Sequence, residues 1–357
     1  VISILLSLLK VKVINITLDD LTNRDISAFY FAKIQMGQDE KAKKYVKTQV
    51  LFDMLCAQSG NQYMFIYADN CEYCDSYQGF FGNNDIKSPD AVKTGEFIKS
   101  KDNQPLLALK VQAEKEFNIF LGAADSLEEL EEISKIIKQA KADLWLEEVK
   151  RDWEDRIGAI QISTPDKKLD AIFNNWLYYQ TVSSRIQART GFYQAGGAYG
   201  FRDQLQDCLC LMISEPEFVR SHILYCASHQ FKEGDVQHWW HPEFSGVRTL
   251  VSDDLLFLPY ITAIYINTTG DEDILYENVP FLEGHSLGDR EDLYETAWQS
   301  TESASLFEHC LRALKLVLSR KGKRDLPLIL CGDWNDGMNA LGKKGKGESV
   351  WLGWFLF

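Results

Sequence analysis

One helix signature divides this chain and limits what it can fold into. Ser126-Leu-Glu-Glu129 is a capping box, in which a hydroxyl and a carboxylate three residues apart satisfy free amides at a helix start. Leu127, Leu130, Ile133, Ile137, Ala140 and Leu144 then recur at helical spacing. Upstream the pattern is different. Residues 11–18, 26–34, 63–67, 106–111 and 117–121 are short β-prone runs separated by clusters of Gly, Asn and Asp. Downstream of about Thr164 the spacing is helical again, with Leu169, Ile172, Phe173, Trp176 and Tyr179 on one face. A chain that changes period once near residue 125 must build two different layers of structure.

The expected organisation follows. Residues 1–124 read as an antiparallel β-sandwich, N-terminally truncated; residues 125–163 as a helical linker; residues 164–357 as paired helices, C-terminally truncated. Helices are expected over 169–179, 203–213, 216–230, 253–267 and 302–319. Long polar-aromatic loops precede the segments near 203, 253 and 349, which suggests an α/α toroid with its site on the rim that gathers the loops. Both ends read as cuts through a longer protein, with no initiator Met at the start and an apolar run, SVWLGWFLF, at the end. The first 18 residues lack a basic leader and are too short for a membrane span.

Composition narrows the partners. The 357 residues suffice for two domains, and 45% apolar content marks a folded chain. A net charge of −14 would repel phosphate backbones and argues against nucleic acid. The eight cysteines are scattered, as reduced thiols in a cytoplasmic protein would be. Cys71 and Cys74 form a lone CxxC in what reads as a polar loop, without a second ligand pair, so no metal is expected. Asn15-Ile-Thr17 and Asn267-Thr-Thr269 match a glycosylation pattern of a kind that commonly arises by chance.

Three segments carry candidate chemistry. The first, residues 191–207, has four glycines within ten residues and lacks the Lys-Ser/Thr ending of a phosphate loop. Arg202 and Asp203 stand at the mouth of the helix that follows it. A guanidinium donates in a fixed fork and a carboxylate accepts from sugar hydroxyls, although an acid there also suits a helix dipole. Asp207, one turn on, reads better as a dipole partner. The second, residues 234–254, packs His238, Trp239, Trp240 and His241 together. Gln237 and His238 can bond hydroxyls while a neighbouring Trp stacks, and the two histidines lack a clear third metal ligand. Ser252 reads as a helix cap and Asp253 as a first-turn acid. The third, CGDWNDGMNA over 331–340, sets Asp333 and Asp336 around Trp334. It reads equally as an acid beside a sugar platform and as a polar turn.

Read together, the strings GGAYGFRDQLQD, GDVQHWWHP, GVRT-x-x-SDDLL and GDWNDGMN, followed by GKGESVWLGWF, resemble glycoside hydrolase family 94. This is a family of inverting glycoside phosphorylases. Within it the strings are most similar to 1,2-β-oligoglucan phosphorylases and to the phosphorylase-like region of cyclic β-1,2-glucan synthases. The resemblance is dense from about Asn174 to Phe357 and weaker before it.

The resemblance implies a β-sandwich, a helical linker and an (α/α)6 barrel. It also implies that Asp336 is the general acid and that Trp334, Arg202 and Asp203 line the donor-sugar subsite, with Asp333 in a supporting electrostatic role. No cofactor is implied. Inorganic phosphate is the co-substrate, the partners are a β-glucan oligosaccharide and phosphate, and the family's assemblies include homodimers. The barrel section that contributes phosphate ligands would lie beyond Phe357. Phosphorolysis needs one acid and no base, because phosphate is already anionic, whereas an inverting hydrolase needs both. Asp333 as the acid is the lesser alternative. The rival functions are a non-catalytic or chain-length-controlling carbohydrate-binding module of a synthase, and an inverting hydrolase using Asp203 or Asp254 as base.

Overall fold

The computed structural model describes residues 2–6, 10–18, 26–34, 36, 46–99, 104–112, 116–139, 141–187, 197–241 and 244–357. The chain divides into two compact units, Val1–Asp155 and Arg156–Phe357.

Among the described residues the first unit has nine strands: β1 (Ile2–Leu6), β2 (Val11–Thr17), β3 (Ser27–Lys33), β4 (Lys47–Leu51), β5 (Met54–Ser59), β6 (Gln62–Tyr67), β7 (Cys71–Ser76), β8 (Pro105–Gln112) and β9 (Glu116–Ala124). They form two antiparallel sheets, β1-β2-β9-β6-β5-β4 and β3-β8-β7. Successive side chains of a strand face opposite ways, and β8 uses both of its faces. Leu107, Leu109 and Val111 meet Ile14, Leu55, Ile66 and Ile119 of the larger sheet. Leu106 and Ala108 pack instead with Phe80, Phe81 and Ala91. These last residues belong to two short helices, α1 (Tyr77–Phe81) and α2 (Asp90–Thr94). Burial on both faces explains why LLALKV shows no alternation in the sequence.

The capping-box helix is α3 (Leu127–Lys138), followed by α4 (Ala142–Gly158). Ser126 accepts from the Glu129 amide at 3.1 Å, while the Glu129 carboxylate accepts from the Asp125 amide at 2.7 Å, one residue earlier than expected. Within the expected linker, the α3 stripe Leu130, Ile133 and Ile137 is part of a core with Val11, Met54, Phe65 and Phe120. Leu127 and Leu144, assigned to that stripe from the sequence, are exposed, and Ala140 lies outside the described residues. The CxxC pair lies on β7 rather than in a loop. Cys71 packs against one core and Cys74 belongs to another, as strand residues three apart must, so the pair does not converge on one ion.

The second unit mixes helices and sheets. Residues 167–187 run as α5 (Lys167–Ala171), a π-helical stretch (Ile172–Leu177), α6 (Tyr178–Gln180) and a second π-helical stretch (Thr181–Gln187). The other helices are α7 (Phe201–Asp207), α8 (Pro216–Ala227), α9 (Phe257–Thr269), α10 (Leu306–Ser319), α11 (Asn339–Gly342) and α12 (Val350–Leu356). α7, α8 and α10 all pack on α9, which buries Leu258 and Ile261 completely. Pro216 opens α8, where its missing amide leaves no bond unmade.

The strands of this unit are β10 (Tyr199–Gly200), β11 (Gln237–His241), β12 (Ser245–Thr249), β13 (Asn278–Glu283), β14 (Asp292–Thr296) and β15 (Trp298–Ser305). They form the sheet β10-β11-β12-β14 and the pair β13-β15. The expected aromatic loop is therefore largely a hairpin, and the helix expected from residue 302 starts at Leu306 after a strand. No helix among the described residues is long and apolar enough to cross a membrane.

Candidate active site

The three candidate segments and the stretch around Arg185 converge on a cavity of about 410 Å³, whose wall includes Arg185, Arg202, Asp203, His238, Trp239 and Asp336. The hairpin supplies the aromatic side. A strand sends adjacent residues to opposite faces, so Trp239 faces the cavity while Trp240 is fully buried. Trp240 stacks between Tyr199 (5.5 Å) and His229 (3.9 Å) and donates its indole N–H to Tyr225. A bulge between Gln237 and Trp239 adjusts the register of β11 beside His238.

The acidic-turn segment is held by residues 250–252. The Cys331 amide donates to the Leu250 carbonyl at 3.3 Å, and the Ser252 amide and hydroxyl both donate to the Gly332 carbonyl, at 2.9 and 3.0 Å. Gly332 has φ +152°, a conformation that disfavours other residues and turns the chain into the acidic turn. Ser252 therefore ties two segments together instead of capping a helix.

Arg202 is the hub. It reaches inward from the first turn of α7 and is buried. Its Nη1 donates to both oxygens of Asp253, at 3.2 and 3.1 Å, and to the Asp333 carbonyl at 3.4 Å. Its Nη2 donates to both oxygens of Asp336, at 2.9 and 3.0 Å. Asp254 stands 3.8 Å from Nη1 and accepts His238 Nδ1 at 2.6 Å. Burial works against the Arg202 charge, but Asp253, Asp254 and Asp336 outweigh it and raise the pKa of the guanidinium. Burial, with Asp254 alongside, pushes the Asp253 carboxyl up to about 7, against the pull of Arg202. For His238, burial disfavours the imidazolium, yet Asp254 and then Asp336 prevail and raise its pKa above the ordinary value. Asp253 thus anchors an arginine and does not serve as a first-turn dipole acid.

The acids of the motif have different surroundings. Asp333 is buried, accepting from the Ser349 hydroxyl at 2.7 Å and the Asn335 amide at 3.1 Å. Ser349 also caps α12 through the Leu352 amide. Asp336 has a side chain 56% exposed and lies on the cavity wall. Trp334 is half exposed, its ring 5.8 Å from the Arg202 guanidinium carbon.

The structure therefore brings together Arg202, Asp203, His238 and Asp336, with Trp334 beside Arg202. Gln237 lies elsewhere: its amide is buried, bonded to His229 Nδ1 at 2.8 Å and the Phe244 carbonyl at 2.7 Å, because its strand position faces inward. Residues 191–196 of the glycine-rich segment and Pro242 and Glu243 lie outside the described residues. Asp207 ends α7 and accepts from Arg185 Nε at 2.9 Å, so it serves that arginine rather than a helix N-terminus. Arg185 was not singled out from the sequence, Asp253 was read only as a first-turn acid and Asp254 only as a base for the rival hydrolase, since nothing local distinguishes a polar helix residue or an acid near a helix start.

A family model described as "Glycosyl hydrolase 94 superfamily, catalytic domain" matches residues 152–357. A cyclic beta-(1,2)-glucan synthase, NdvB, of Rhizobium meliloti (strain 1021) is 40% identical over 344 residues, 89% of this chain and 12% of that protein. Two Paenibacillus borealis enzymes are each 28% identical. The 3-O-beta-D-glucopyranosyl-beta-D-glucuronide phosphorylase aligns over 81% of this chain and 37% of its own length, and the solabiose phosphorylase over 78% and 34%. The chain thus spans between 12% and 37% of the length of these relatives.

Proposed function

The chain belongs to the glycosyl hydrolase 94 superfamily, and on that premise we propose that it carries the acid and donor-sugar side of an inverting phosphorolysis of β-linked glucans. The observation that carries this reading is the position of Asp336, an accessible carboxylate on the wall of a sugar-sized cavity, beside Arg202. Asp336 protonates the departing glycosidic oxygen. Inorganic phosphate attacks the opposite face of the anomeric carbon, its oxygen forming the new bond as the glycosidic bond breaks. The products are α-glucose 1-phosphate and a chain one glucose shorter. In the reverse direction Asp336 is the base.

Two other acids support this assignment by being buried: Asp333 is held by Ser349, and Asp254 is committed to His238. Asp203, 4.0 Å from Arg185, lines the cavity and is the acid that a hydrolytic mechanism would have to use as base. Arg202 orients Asp336, His238 bonds a sugar hydroxyl, and Trp239 offers an apolar ring face.

The likeness to a cyclic beta-(1,2)-glucan synthase supports β-1,2-linked glucose as the substrate. It also favours a second reading, in which this region controls chain length within a synthase. The deciding experiment supplies the full-length gene product with phosphate and β-1,2-, β-1,3- and β-1,4-linked gluco-oligosaccharides. Phosphate-dependent release of glucose 1-phosphate is expected. Its absence with every glucan would sink the phosphorylase reading, and sugar release without phosphate would replace it with hydrolysis.

A further inference from the structure

Arg185 is a charged residue of the cavity wall that lies outside the family motifs. It projects from the π-helical stretch Thr181–Gln187, a backbone form that recurs at functional sites. Its guanidinium is held from behind, where Nε donates to Asp207 Oδ2 at 2.9 Å. Its Nη2 lies 4.0 Å from Asp203 Oδ1. Its backbone is fixed too, since the Arg185 carbonyl accepts from Gln204 Nε2 at 2.9 Å. The Nη groups make no hydrogen bond among the described residues, and both Arg185 and Asp203 line the cavity.

Room for the Asp203 carboxylate is built into the backbone. A Cβ on Gly200 would collide with the Asp203 carboxylate, so a larger residue there would push that side chain aside from where it folds back over the strand end. The result is a planar donor fork beside a carboxylate acceptor, braced by a second carboxylate. Two acids this close to one guanidinium balance its charge and disfavour an anion. What suits the pair is a neutral ligand presenting a hydroxyl to accept from the arginine and an adjacent hydroxyl to donate to the carboxylate.

We propose that Arg185 and Asp203, with Asp207 positioning the arginine, bind two neighbouring hydroxyls of the sugar that occupies the cavity. This rests on the preceding reading only in taking the occupant to be a sugar, and it adds Arg185 and Asp207 to the residues that select it.

Calorimetric titration without phosphate tests it, using β-1,2-, β-1,3- and β-1,4-linked glucose disaccharides and their monodeoxy derivatives. Arg185→Ala should weaken the best disaccharide by about 10- to 100-fold. A monodeoxy sugar that binds the wild type less well should lose no further affinity to that substitution. Arg185→Lys keeps the charge but loses the fork, so it should retain the fold without recovering affinity, which decides the matter if the alanine variant is unstable. Gly200→Ala should also weaken binding, by displacing the Asp203 carboxylate with no change of charge. In turnover, KM should rise more than kcat falls.

Disaccharide affinity within twofold of wild type in Arg185→Lys overturns the proposal, as does failure of every disaccharide to bind the wild type. Loss of inorganic phosphate binding in place of sugar binding overturns it in favour of an anion site. Arg185-dependent sugar binding without phosphorolysis would leave it standing and remove the phosphorylase reading alone.

Discussion

Two buried arginines of the second unit have opposite surroundings. Arg248 is 5% exposed and donates to Asp235 from Nε and Nη2, both at 2.6 Å, with Glu233 at 3.0 Å and the His285 carbonyl at 3.2 Å. The Phe231 ring lies 3.9 Å from its guanidinium carbon. Its main acid, Asp235, is buried with it. Arg202 is almost as buried, but it divides its fork between an acid with no exposure, Asp253, and one on the cavity wall, Asp336. Both arginines are buried and hydrogen-bonded to two acids or more, so burial and pairing do not distinguish a site from a scaffold. What distinguishes them is whether one partner of the cluster reaches a cavity.

The largest expected effect would break that comparison at its open end. Asp336→Asn should lower kcat by about 100- to 10,000-fold, the range for losing a positioned acid, with an unchanged melting temperature. A variant near the wild-type rate would move proton transfer elsewhere. At the closed end, Arg248→Ala leaves Asp235 buried without its cation. Destabilisation of about 3–5 kcal/mol is expected by denaturant titration. A smaller loss, with activity abolished, would show that Arg248 also faces a ligand.

Ser349→Ala removes the α12 cap and the hydroxyl bonded to Asp333, so about 2 kcal/mol should be lost. Sugar affinity should fall less than in Arg185→Ala. The smallest effect is a slope. Burial and the neighbouring Asp254 raise the native Asp253 carboxyl to about 7, from the ordinary 3.8 of the unfolded chain. The native state therefore binds more protons between those values, and this group's contribution to stability falls as pH rises through that window. Asp253→Asn should remove that decline, so the variant's stability relative to the wild type should rise between about pH 4 and 7. Buried His229 and His309, held neutral down to about 4 by burial, pull the other way below pH 6.5. They are common to both proteins and cancel in the difference. An identical slope in the variant would mean that the shared proton resides elsewhere in the Arg202 cluster.

Some of this was legible before any coordinates. The capping box marked α3, and the β-prone runs at 11–18, 63–67 and 106–111 are strands, because period and caps are local properties of the backbone. Asp336, Arg202, Asp203 and His238 were singled out by motif, and they line one cavity. The hairpin was not legible. QHWWH is five residues with a bulge, too short to show alternation, and its aromatics suit either a polar loop or a strand. For the same reason Gln237 was placed with the sugar ligands, although its inward register commits both ends of its amide to the core.

By itself the sequence determined the change from strand to helix near residue 125, the family, and the acidic turn as the place to look. The residues themselves could not tell Asp333 from Asp336, since they share one turn and one side chain, and only the family resemblance favoured Asp336. Only the tertiary structure separated them, by bringing Ser349 to the first and Arg202 with a cavity to the second. Partners 16 and 134 residues away in the chain, not the local motif, determine which carboxylate is buried and satisfied and which remains exposed on the cavity wall.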